Sequence, residues 1–186
     1  YHLGEHGHWQ KRTLFDNATR VPLIVAGPGI NKNQKIMDAP IELVDIYPTI
    51  MDMVGMETPE FVSGKSFAPL LKDSNARVRS SALTELGVFT GKKPKVQGYS
   101  IKTDRYRLTQ WGEKGIMGHE LYDHKFDKKE LNNLTDTIKY KSVKDSLIEV
   151  IDRRIADARK KPKGLGPQIA EVIEWKEPKA VHSQPK

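Results

Sequence analysis

His2, His6, His8 and Lys11 crowd together in the stretch YHLGEHGHWQK. Three imidazoles at such spacing suggest transition-metal ligation, completed by a further ligand such as His119 or His124. Gly4 and Gly7 break the spacing, so the rings cannot share one regular helix face, and nothing in the pattern requires a metal. Lys11 offers a different chemistry. Its ammonium is a compact charge with three donors, suited to a tetrahedral oxyanion such as sulfate or phosphate. In open α/β sheets ligands gather in loops at strand ends, and Lys11 stands in a polar, glycine-bearing segment ahead of an apolar run. The ordinary alternative is a solvated lysine. The two glycines, which let backbone approach a ligand closely, argue for the anion.

The elements that must position these residues follow in order. VPLIVAGPG is a near-continuous apolar run through Ala26, predicting a strand buried on both faces and stopped by Gly27, Pro28 and Gly29. Pro48 suits the first turn of a helix, with Ile50, Met51 and Val54 sharing a face and Gly55 closing it. SGKSFAPLLKD reads as a loop with a short helical turn. After Arg77 the pattern changes to SSALTEL, VQGYSIKT, YRLTQW and HELYD, four short strand-like segments, with KTDRY as a tight turn. A helix is predicted from about Ser142, capped by the Ser142 and Asp145 pair. Its stripe is Val143, Leu147, Ile151, Ile155 and Ala158, and Pro162 ends it. Three parts are expected: 1–76, the C-terminal part of a larger α/β unit; 77–161, a small α+β unit; and 162–186, a Lys- and Pro-rich tail.

Composition narrows the chemistry. The 186 residues are 37% hydrophobic and 30% charged, ordinary for a globular protein. No apolar run is long enough to span a bilayer. Cysteine is absent, which excludes disulfides and thiolate chemistry within these residues. The formal net charge of +7 favours anionic partners, although its basic runs read mainly as solvated surface. Asn17-Ala18-Thr19 has the pattern of a glycosylation sequon, and Arg20 is placed to pair with Asp16. Leu3 and Trp9 sit where an N-terminus is usually polar, so the opening stretch reads as the middle of a longer motif.

LGEHGHWQKRTLFDNATRVPLIVAGPG resembles the sulfatase family, most closely its iduronate-2-sulfatase-like branch. ELVDIYPTIMDMVGM, GKSFAPLL, QGYSIKTDRYRLTQW and ELYDHKFDKKELNNL agree in the same order, so the resemblance covers about residues 1–133. It implies an α/β sandwich with a large mixed sheet and a smaller antiparallel C-terminal sheet, and hydrolysis of sulfate esters. It also implies a formylglycine nucleophile, made from Cys or Ser in a Cys/Ser-x-Pro-x-Arg motif, and a calcium (or magnesium) ion. Neither that motif nor the metal-binding aspartates occur here, so nucleophile and metal ligands are expected upstream of Tyr1, and the chain alone is expected to be inactive. By resemblance Lys11 is a catalytic, sulfate-contacting lysine, and Tyr1 and His2 line the substrate mouth. Trp9 is expected to pack, and Lys102 or Arg105 to be candidates for a carboxylated sugar.

The expected substrate is a sulfated sugar or polysaccharide, with a uronate 2-O-sulfate suggested by the branch. No nucleic-acid partner or membrane span is expected, and a secreted or periplasmic location follows from the family. Two alternatives remain open: a phosphodiesterase or phosphonate hydrolase of the wider alkaline-phosphatase superfamily, or a non-catalytic module that binds a sulfated glycan or nucleic acid through its net charge.

Overall fold

The computed structural model describes residues 1–30, 38–88 and 96–160. In chain order the first elements are β1 (His2–Leu3), β2 (Trp9–Gln10) and a single helical turn, α1 (Asp16–Thr19). Then come α2 (Ile46–Met53), α3 (Ala68–Lys72), β3 (Ala82–Val88), β4 (Val96–Lys102), β5 (Tyr106–Trp111), β6 (His119–Asp123) and α4 (Lys141–Ala158). The fold mixes helix and sheet, as expected. The four strands foreseen after Arg77 form one antiparallel sheet in the order β3-β4-β5-β6. The KTDRY turn joins β4 to β5, with the Thr103 N–H donating to the Tyr106 carbonyl at 2.8 Å.

The sheet has two unlike faces, because side chains alternate along a strand. One face carries Tyr99 and Ile101 of β4, Leu108 of β5 and Leu121 of β6. These pack on Leu147, Ile151 and Ile155, a stripe four residues apart along α4. Each such side chain contributes about 1.5–3 kcal/mol on full burial. The other face presents Ser100, Arg107 and Thr109, all polar and none more than 2% exposed. Burial there rests on hydrogen bonding, and its cover is the segment that follows Lys11.

A second, smaller core gathers Phe67, Leu70 and Leu71 with Val25, Ile30, Ile41 and Ile46 around them. At the end of α2, Gly55 adopts φ 72°. Its N–H donates to the Asp52 carbonyl and that of Met56 to the Met51 carbonyl, the double-bonded left-handed stop that favours glycine.

Two expectations fail, the strand and the helix cap, and α2 buries a face other than its apolar one. Val21–Ala26 forms no strand, and Ile24 is 89% exposed. An apolar run becomes a strand only beside a bonding partner, and the described residues offer it none. On α2 the buried residues are Pro48 and Thr49, while Ile50 and Val54 are exposed. Thr49 turns inward because its hydroxyl accepts from the Phe67 N–H at 2.9 Å and donates to the Asp45 carbonyl at 2.6 Å. Helix α4 begins at Lys141, within a residue of the expected start, but has no side-chain cap: Asp145 accepts from the Lys141 ammonium instead of turning back toward Ser142. Pro162 and the tail lie outside the described residues. Among those described, no helix is long and apolar enough to cross a membrane.

Candidate functional site

The histidine-rich opening folds into a tight loop. β1 and β2 pair antiparallel, His2 opposite Gln10 and Leu3 opposite Trp9. The turn between them needs left-handed backbone at Gly4 (φ 116°), and the side-chain-bearing His6 (φ 56°) and Gln10 (φ 73°) adopt it too. Such residues cost about 1–3 kcal/mol each and persist where surroundings over-determine them. Here His2 does much of the holding. It is fully buried; its Nδ1 donates to the Glu5 carbonyl at 3.2 Å, so its Nε2 accepts from the Thr13 hydroxyl at 2.6 Å. Burial holds the imidazole below its ordinary pKa; the Glu5 carbonyl opposes this, and neighbouring His6 and His8 reinforce it. The His6 ring stacks on Phe15, centroids 3.9 Å apart and nearly parallel.

Lys11 emerges from this anchored loop into solvent, and Tyr1 is likewise exposed. His2 lies beneath the loop, both nitrogens engaged, so it supports the surface without forming part of it. Trp9, expected to pack, is 69% exposed.

The metal possibilities resolve on side-chain commitments. With both nitrogens of His2 taken, His2, His6 and His8 cannot chelate one ion together. Among the described residues, the group of three or more acidic and imidazole side chains whose ligand atoms all come within 4.8 Å of one another is Asp16, His124 and Glu130. The guanidinium of Arg107 already fills the position a cation would take there. The calcium or magnesium implied by resemblance therefore does not fit the described residues.

That arginine organises the site. From β5, Arg107 Nη2 donates to Asp16 Oδ1 at 2.7 Å and to Thr19 Oγ1 at 3.0 Å. Its Nε donates to Glu130 Oε1 at 2.5 Å and its Nη1 to Ser100 Oγ at 3.1 Å. The second Glu130 oxygen accepts the Asp16 N–H at 2.7 Å, and His124 Nε2 lies 2.7 Å from the first. Burial alone would push the Glu130 carboxyl up; the His124 hydrogen bond and the Arg107 charge hold it below its usual range. The anticipated Asp16–Arg20 pair is not made: Arg20 reaches Asp38 instead, on the exposed surface.

Arg107 and Glu130 were not singled out from sequence, and Asp16 was read only as a partner for Arg20. A lone arginine on the polar face of a strand looks solvated, and its partners lie 91 and 23 residues away. The usable signal was Ser100 and Thr109 sharing its face. Arg105 is committed to Asp123 through two hydrogen bonds, 2.8 and 2.6 Å, and Lys102 to the Thr103 carbonyl, so neither is free for a sugar carboxylate. The described residues carry as many acidic as basic side chains. The charge excess behind the polyanion-binding alternative thus lies outside them.

The chain is similar to known proteins over most of its length. The family model described as N-sulphoglucosamine sulphohydrolase, C-terminal, matches residues 4–157. A sulfatase of Formosa agariphila is 33% identical over 147 residues, covering 79% of this chain and 27% of that protein. A protein solved in complex with its substrate D-glucosamine-2-N,6-O-disulfate superposes with a TM-score of 0.75 at 26% identity, over 88% of this chain and 34% of that one. A 2-O GAG sulfatase superposes at 0.62 with 27% identity, over 73% and 29%. The chain spans about a quarter of the length of the Formosa relative.

Proposed function

The chain belongs to the sulfatase family, and on that premise we propose that it supplies the sulfate-contacting lysine, Lys11, of an enzyme that hydrolyses sulfate esters of sugars. The observation that carries this reading is an exposed lysine on a strained loop whose neighbours on both sides are pinned by buried groups. Its ammonium would donate to non-bridging sulfate oxygens, where charge concentrates in the transition state. Tyr1 would border the sugar. His2 would hold the loop from below.

A calcium or magnesium ion and a formylglycine, if the enzyme uses them, would be held by residues other than those described. A uronate 2-O-sulfate is the proposed substrate linkage, supported by the resemblance of LGEHGHWQK to the iduronate-2-sulfatase-like branch and by the likeness to a 2-O GAG sulfatase. A secreted or periplasmic location fits a polymeric sulfated substrate.

The test is sulfate release by the full-length protein from 4-nitrophenyl sulfate and from 2-O- and 6-O-sulfated disaccharides. Turnover is expected, faster on the 2-O ester, and Lys11→Ala should lower kcat/KM about 10²–10³-fold. Full activity in Lys11→Ala, or turnover of phosphonate monoesters alone, would overturn the proposal. The 186-residue chain by itself is expected to release no sulfate, since it has neither Cys nor a Ser-x-Pro-x-Arg motif.

A further inference from the structure

We infer that Arg107 and Glu130, both on the C-terminal side of the chain, are the positioning residues that aim Lys11; this inference rests on the sulfatase reading. Lys11 has little slack. Only Arg12 separates it from Thr13, which holds His2 at 2.6 Å. Leu14 follows, 3% exposed. Asp16, one residue beyond Phe15, is gripped at its carboxylate by Arg107 and at its N–H by Glu130. A displacement of the Arg107 guanidinium therefore passes to Lys11 through a chain of fixed points.

The grip is built for geometry as well as charge. Nε, Nη1 and Nη2 of Arg107 are each directed to a different partner, and the side chain is 2% exposed. Glu130, 2% exposed, takes left-handed backbone at φ 56°, a conformation that a side-chain-bearing residue keeps only when its neighbours enforce it. Both oxygens of its carboxylate are occupied, one by Arg107 and His124 and the other by the Asp16 N–H. A lysine at position 107 would keep the charge but lose the planar fork. Arg107 does not touch substrate in this scheme. It acts through the loop.

The experiment compares full-length wild type with Arg107→Lys, Lys11→Ala and the double variant on a sulfate ester. Arg107→Lys should lower kcat by roughly 100-fold, the scale of an ångström's misplacement, with little change in KM. In the Lys11→Ala background the same substitution should cost nothing further, because the residue it aims is gone. Losses that multiply would overturn the inference. Asp16→Asn, which weakens the same grip from the loop side, should reproduce the pattern if Arg107→Lys fails to fold. Hydrogen exchange gives a readout independent of turnover. Amides between Leu3 and Thr13 should exchange faster in Arg107→Lys while those of α4 stay unchanged, and an unaltered loop would overturn the inference. If wild type releases no sulfate from any ester, the sulfatase reading falls, and exchange alone still decides whether Arg107 positions the loop.

Discussion

Arg79 and Asp45 meet through two parallel hydrogen bonds, Nε to Oδ2 at 2.6 Å and Nη2 to Oδ1, with both side chains buried. Asp45 also accepts the N–H groups of Glu42 and Lys65, and Glu42 in turn pairs with Arg154 of α4 and accepts the Leu83 N–H. One carboxylate thus ties the start of α2 to the loop before α3, and its neighbour ties both to the sheet and its helix. Removing one partner from such a pair leaves an uncompensated buried charge. Asp45→Asn should therefore destabilise by about 3–5 kcal/mol, read as a lowered urea midpoint with an unchanged m-value.

Acid should undo the same bonds. Burial pushes Asp45 and Glu130 up, yet hydrogen bonds from arginine, histidine and backbone hold both below their unfolded values; the Arg105 hydrogen bond does so for Asp123. A carboxylate depressed on folding contributes stability above its unfolded pKa and loses it as pH falls through the folded one. The carboxylate contribution should be flat from pH 7 to 5 and decline below about pH 4. Equilibrium unfolding across that range is the measurement. A Glu130→Gln variant should show a shallower decline.

Two histidines add an earlier slope. Burial lowers the pKa of His2 and of His119, the latter with a smaller push from Lys144 and an opposing pull from Asp152. The folded state thus prefers both neutral. Unfolded histidine gains its proton near pH 6.5, so stability should start to fall as pH drops through that value. Among the described residues the buried Nε2 of His119 has no partner, and neither does the Oε1 of Gln110 opposite it on β5. His119→Leu should flatten the slope between pH 6.5 and 5 with little loss at pH 8. An unchanged slope would assign it to His2.

Lys11 should behave in the opposite manner to these buried groups. It is exposed, so Lys11→Ala should leave the thermal midpoint within the effect of about 0.5 kcal/mol usual for a surface change. Parallel melting and turnover measurements separate the two readouts. A large fall in the midpoint would mean that Lys11 supports the loop.

Much of the scaffold was legible. β3 to β6 announced themselves by short apolar alternation between turn residues, and α4 by its four-residue stripe, because each buries one face against the other. Val21–Ala26 misled because apolarity reports a wish for burial and says nothing about who provides it. Lys11 was legible by type and by resemblance, whereas its support was not. Arg107, Glu130 and Asp16 meet only after the sheet forms, and no local pattern encodes a contact across 91 residues.

Gly98 marks the seam between loop and sheet. A Cβ there would come within 2.4 Å of the Trp111 ring and 2.8 Å of the Leu14 side chain. Gly98→Ala should cost about 1–3 kcal/mol through overpacking. It should also loosen the loop beyond Leu14, visible as faster amide exchange at Thr13.

The unlike faces of the sheet imply unlike tolerance to mutation. Against α4, where dispersion and area dominate, a saturation library should accept many volume-conserving swaps among Ile101, Leu108 and Leu121. Against the loop, each substitution at Ser100, Arg107 or Thr109 strands a donor or acceptor elsewhere. Laboratory evolution toward heat resistance would then find its gains on the helix side, and selection for altered turnover would register on the other.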